Sequence, residues 1–173
     1  MSSEVAERIG FIGAGRLATG LAWAMAQRGV NIHVVASRSA APAQRLASRI
    51  PGCRVVASPQ EAADASDLMF LAVPDDAIPP LAESIAWRPG IAAVHCSAAR
   101  EVHVLDAAAR QGAEIGGFHP LQAFGDPDVA AKTLPGCAVA IEAGDALRPV
   151  DMIERPLEYW AVESRGGTGW PGV

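Results

Sequence analysis

Arg8-Ile9-Gly10-Phe11-Ile12-Gly13-Ala14-Gly15-Arg16-Leu17-Ala18 decides how this chain folds. A short apolar run that stops at glycines reads as a buried parallel strand. Leu17, Leu21, Ala24 and Met25 then recur at helical spacing, and Arg28-Gly29 supplies a cationic last turn and a glycine stop. The turn between strand and helix has G-x-G-x-x-A spacing. Gly13 permits the tight turn, Gly15 lets a diphosphate approach the backbone, and Ala18 permits close contact of helix and sheet. A cation in the first helical turn, Arg16, opposes the helix dipole unless an anion lies nearby. The pattern therefore predicts a dinucleotide site at Gly13, Ala14, Gly15, Arg16 and Leu17.

Outward from this stretch, strand-like and helix-like segments alternate. Residues 31–36 read as a second strand, and Pro42, Leu46 and Ile50 mark a helix stopped by Pro51-Gly52. Residues 53–57 form a short strand, and Ser58-Pro59-Gln60-Glu61 has capping-box spacing. Residues 68–73 make the clearest buried strand. It stops at Pro74, where Asp75 or Asp76 can cap a helix carrying Leu81 and Ile85. Residues 91–95 follow, then a helix on Val102, Leu105 and Ala109, then strands over 113–118 and 137–141. Strands separated by helices of about ten residues imply right-handed crossovers. The expected fold is an α/β, doubly wound, mostly parallel sheet with helices on both faces.

The end of the second strand reports which nucleotide fits. NAD sites commonly place a carboxylate there to bind the ribose 2′-hydroxyl, whereas this chain has Ser37-Arg38-Ser39. A guanidinium pairs with a 2′-phosphate and hydroxyls donate to it, so NADP is preferred over NAD. Further polar residues fall at the same end of successive strands: Pro74-Asp75, His95-Cys96-Ser97 and His119. In an open parallel sheet those carboxyl ends form the ligand crevice. Taken singly, Asp75 and Asp76 read as caps, His95 as the end of a strand and Ser97 as a cap. His119 follows Gly116-Gly117 and precedes Pro120, a setting that admits a close ligand. His33 and His103 read as ordinary positions, and no cluster has metal-ligand spacing.

Composition narrows the function classes. With 173 residues, half hydrophobic and 19% charged, the chain suits one globular domain rather than a disordered or collagenous one. A formal charge of -5 gives no general attraction to nucleic acid or an anionic membrane, so small molecules are the expected partners. The absence of a membrane-length apolar run and of a cationic leader predicts a cytoplasmic protein. Cys53, Cys96 and Cys137 are far apart and odd in number, as suits structural thiols rather than a disulfide framework.

Five segments together carry a resemblance: 9–16, 36–39, 70–78, 94–97 and 118–124. As a set they resemble an uncharacterised bacterial family of Rossmann-like NADP oxidoreductases with a C-terminal domain of unknown function. More distantly they are similar to pyrroline-5-carboxylate reductase, deazaflavin-dependent NADP reductases and prephenate dehydrogenase. The resemblance implies hydride transfer between NADPH and a small carbonyl or imine. Gly13, Gly15, Arg16, Ser37 and Arg38, joined by Ala14, Leu17 and Ser39, would hold the cofactor, and Val73, Pro74 and Asp75 would border its nicotinamide. Ser97 would orient the substrate and His119 would donate a proton. Full-length relatives continue into a helical domain that covers the crevice and supports homodimers. The expected division is a nucleotide-binding domain over 1–145 and an irregular tail over 146–173, rich in Trp, Gly, Pro and Arg, from a truncation or a shifted reading frame. An inactive nucleotide-binding module is the alternative.

Overall fold

The computed structural model describes residues 7–135, 137–143 and 161–164. The strands are β1 (Ile9–Ile12), β2 (Ile32–Ala36), β3 (Arg54–Val55), β4 (Leu68–Leu71), β5 (Ala92–His95), β6 (Glu114–Pro120), β7 (Ala138–Ala143) and β8 (Ala161–Ser164). They form one sheet in the order β3-β2-β1-β4-β5-β6-β7-β8. Pairing is parallel from β3 through β6, antiparallel between β6 and β7, and parallel again to β8. The helices are α1 (Arg16–Ala26), α2 (Ala40–Arg49), α3 (Pro59–Asp64), α4 (Ile78–Ser84), α5 (Asp106–Ala109) and α6 (Pro127–Thr133).

Alternation along the strands divides the core between two faces. Phe11, Leu68, Phe70, Val94 and Phe118 pack with α1, α2 and α6. Ile12, Met69, Leu71, Ala93 and Ile115 pack with α3, α4 and α5. Both sides of β1, β4 and β5 are buried, which is why these strands read as unbroken apolar runs. Phe70 is the hub of the first face, stacked on Phe11 at 5.0 Å and edge-on to Phe118 at 5.6 Å between ring centroids. At the other end of the strands, Arg8 clamps Asp67 through its backbone N–H, Nε and Nη2 at 3.0, 3.1 and 2.8 Å. That fork fixes β1 beside β4 and holds the Asp67 carboxyl below the ordinary carboxylate range.

Several local signals act as expected and several do not. Ser58 Oγ accepts from the Glu61 N–H at 3.1 Å, while the Glu61 carboxylate accepts from the Ala57 N–H at 3.2 Å. Neither Asp75 nor Asp76 caps a helix: the chain leaves Pro74 extended and winds at once into a 3-10 turn over Asp75–Ala77. The aspartates thus lie inside the turn, and Asp76 pairs with Arg100 instead. The helix expected on Val102, Leu105 and Ala109 starts as a 3-10 turn, Val102–Leu105, and only its last four residues are α-helical. Helix α6 is an addition to the expected elements. Asp126 caps it by accepting from the Asp128 and Val129 N–H groups at 2.8 and 3.2 Å, and Pro127 occupies its first turn. Most of the expected tail, 146–173, lies outside the described residues, but Ala161–Ser164 within it pairs with β7.

Replacing Phe70 by Ala removes both ring contacts from a closed core and is expected to cost about 3–5 kcal/mol. Urea unfolding of the two proteins measures it, and a loss below about 1 kcal/mol would contradict the packing described.

Candidate functional site

The crevice begins where strand order reverses, between β1 and β4. Gly13 has φ of +109°, and a Cβ there would stand 2.1 Å from the Ala72 carbonyl oxygen. Only glycine fits both the dihedral and the space. Its N–H donates to the Ala36 carbonyl at 2.8 Å, and the Ala72 N–H donates to the Ile12 carbonyl at 2.8 Å, so the turn is stitched to the ends of β2 and β4. The chain then enters α1 through Gly15. A Cβ on Gly15 would meet nothing within 4 Å, so the backbone faces open space. Helix α1 has no side-chain N-cap bond and no acidic residue in its first turn. Its first N–H groups therefore need an acceptor from elsewhere, and the positive end of the dipole is uncompensated. A diphosphate fits this cradle on all three counts.

Arg16 is exposed beside the cradle, Ala14 and Leu17 are half-buried, and Ala18 is fully buried against the sheet. Gly20, two residues further, brings α1 against α6: its Cβ would lie 3.1 Å from Ala130 Cβ and 3.3 Å from the Phe124 ring. At the end of β2, Arg38 and Ser39 are exposed, and the Ser39 N–H lies 3.4 Å from Ser37 Oγ. Among the described residues, neither Arg16 nor Arg38 has an acidic partner. A cleft of about 350 Å³ opens beside the cradle, lined by Gly15, Arg16, Arg45 and Arg49 and also by Asp126 and Asp128. Arg49 is tied to Asp128 in α6, whereas Arg45 has no such tie among the described residues. The sequence reading passed over Arg45, although its spacing of four from Arg49 places both on one side of α2.

Beyond β4, half-buried Val73 and Asp75, with exposed Pro74 between them, lead out of the sheet. Ser97 is buried just past β5; its Oγ accepts from the Ala99 N–H at 3.2 Å, a tight local turn rather than a helix cap. His119 on β6 is 5% exposed and lies beside His95, which is 0% exposed, with ring centroids 5.3 Å apart. Treating His95 singly as the end of a strand missed this pairing. The register of β5 and β6 sets it, because His95 stands opposite Gly117 and His119 is two residues further on the same face. His95 Nδ1 accepts from the Ser97 N–H at 3.2 Å, which leaves its proton on Nε2. Among the described residues, neither His95 Nε2 nor His119 Nδ1 meets a hydrogen-bond partner.

Burial pushes His95 down to about 4, helped by the neighbouring His119 and opposed by Asp75. Burial also lowers His119, while a hydrogen bond to the Cys96 backbone and the charges of Glu142 and Asp75 pull it back up. Both rings are therefore neutral at neutral pH. Burial raises the cysteines too, Cys53 to about 11 and Cys96 to about 12, so they stay protonated thiols and supply no nucleophile. Among the described residues, no group of His, Cys, Asp and Glu is arranged to hold a metal, and no helix is long and apolar enough to cross a membrane.

A family model described as a Rossmann-like domain matches residues 3–120. Among solved structures, a proposed NADP oxidoreductase from Bacteroides fragilis superposes with a TM-score of 0.77 at 23% identity, over 92% of this chain and 60% of that one. A pyrroline-5-carboxylate reductase from Coxiella burnetii gives 0.77 at 15% identity, over 94% and 60%. A reductive aminase from Aspergillus terreus, in complex with NADPH and ethyl-5-oxohexanoate, gives 0.75 at 18%, over 94% and 55%. The chain thus spans 55 to 60% of the length of these structures. No curated protein matches it.

The buried imidazoles make stability depend on acid. Because His95 is lowered from 6.5 to about 4, the unfolded chain takes up its proton first as pH falls. Stability is full above about pH 6.5 and declines through the window down to about 4, by about 1.4 kcal/mol per pH unit for each proton. Urea unfolding at several pH values should show this decline, and His95→Asn should flatten it; an unchanged slope in the variant would contradict the burial argument.

Proposed function

Since the chain belongs to the Rossmann-like domain family, we propose that it binds NADP in the crevice and serves hydride transfer between NADPH and a small carbonyl or imine substrate. The single observation that carries this reading is the uncapped start of α1 behind Gly13 and Gly15, open to solvent and with no acidic residue in its first turn. The diphosphate lies against the N–H groups from Ala14 to Leu17, with Arg16 beside it. Arg38 pairs with the 2′-phosphate and Ser37 and Ser39 donate to it, a preference supported by the missing carboxylate at the end of β2. Val73, Pro74 and Asp75 border the nicotinamide, which when bound supplies the hydride.

Ser97 and His119 face the substrate in this reading. Ser97 orients it, and His119, neutral at physiological pH, offers its ring nitrogen at the reacting group. Burial of the two imidazoles keeps water from competing for those bonds. The partner is a small molecule and the setting is the cytoplasm. A binding module without turnover is the second reading, favoured by the burial of Ser97 and His119, which are only 7% and 5% exposed.

Titration with NADPH and NADH tests the proposal. Arg38→Ala should weaken NADPH selectively by about 1 to 3 kcal/mol, roughly 5- to 150-fold, and leave NADH nearly unchanged. Equal weakening of both nucleotides would remove the case for reading the 2′-phosphate. Steady NADPH oxidation with a carbonyl or imine, against binding alone, separates the two readings.

A further inference from the structure

We propose that Arg45 of α2 is a further diphosphate-binding residue, closing with Arg16 on the group held at the start of α1; this rests on the nucleotide reading above. The cleft beside the cradle joins the two helices. Ala14, Gly15 and Arg16 line it from the turn and α1, and Pro42, Arg45 and Arg49 line it from α2. At about 350 Å³ it has the size of a small-ligand pocket. Arg38, given above to the 2′-phosphate, is not among the described residues that line it. The phosphate that faces Arg45 is therefore the one in the cradle.

The charges around the cleft separate into those already met and those left over. Arg49 donates from both terminal nitrogens to Asp128 of α6, at 2.5 and 3.0 Å, so this pair cancels its own charge and ties α2 to α6. Asp126, the other acid at the cleft, caps α6 by accepting from the Asp128 and Val129 N–H groups at 2.8 and 3.2 Å. Arg16 and Arg45 remain. Both are exposed, and neither has an acidic partner among the described residues. Two guanidinium groups and the positive end of the α1 dipole thus face a single carboxylate that already accepts two N–H bonds. Like charges gathered in one cleft repel, and an anion between them relieves the repulsion.

A diphosphate suits this arrangement better than a single phosphate. It carries more oxygens than the few N–H groups at the start of α1 can meet, and a guanidinium fork matches phosphate oxygens two at a time. Arg45 and Arg38 then divide the work: Arg38 distinguishes NADPH from NADH, while Arg45 serves the part the two nucleotides share.

The test is titration of the full chain, followed by calorimetry, with NADPH, NADH and inorganic pyrophosphate. Arg45→Gln should weaken all three alike, by about tenfold, and Arg45→Lys, which keeps the charge without the fork, should recover part of that loss. Unchanged affinities in Arg45→Gln overturn the proposal. So does a loss confined to NADPH, which would give Arg45 to the 2′-phosphate instead. A chain that binds pyrophosphate through Arg45 but neither dinucleotide fails the cofactor reading alone. One that binds both dinucleotides indifferently to Arg45→Gln fails this inference alone, and one that binds none of the three fails both.

Discussion

At Gly13 the backbone passes so close to β4 that the Ala72 carbonyl oxygen occupies the space a side chain would need. This contact sets the direction in which the chain leaves β1, and hence where α1 begins. Because β2 and β4 flank β1 and both lend hydrogen bonds to the turn, the start of α1 is fixed relative to three strands at once. A helix dipole is useful to a ligand only if its end is held still and left open. The first condition comes from the stitched turn, the second from Gly15 and an acid-free first turn.

The parts of the fold readable from sequence are those where local and global preferences agree. Residues 8–36 state a strand, a glycine turn, a helix and a second strand without ambiguity, and the structure follows them closely. The short elements were harder. Strand β3 keeps only Arg54 and Val55 of the expected 53–57, because it is an exposed edge paired on one side. The aspartates after Pro74 have the chemistry of caps, yet the fixed φ of proline and an immediate 3-10 turn carry them past the capping position. Helix α6 was announced by Asp126-Pro127, a cap followed by a first-turn proline, but its seven residues are too few for a clear apolar period.

The proposed nucleotide end of the candidate site can be read along the sequence for a related reason: its residues lie within contiguous segments, and spacing is what a sequence displays. The surroundings of the two imidazoles are not contiguous. His95, Gly117 and Glu142 come from three strands and meet only through register, and the antiparallel return of β7 that places Glu142 there has no local marker. A histidine ending a strand looks the same whether it completes the core or faces another imidazole. What distinguishes the cases is a glycine on the neighbouring strand that leaves room for both rings.

The two halves of the crevice are electrostatically opposite, and that opposition is informative in a chain whose formal charge is -5. Near α1, the helix N-terminus and Arg16, Arg38 and Arg45 present positive charge, partly offset by Asp126 and Asp128, which line the same cleft. Beyond β4, Asp75 and Glu142 surround rings that burial keeps neutral. On the function proposed above, a dinucleotide is favoured with its phosphates toward α1 and away from Asp75 and Glu142. Reversing it would set phosphate against two carboxylates and leave the start of α1 unmet. On that function, charge orients the nucleotide before any ring contact forms.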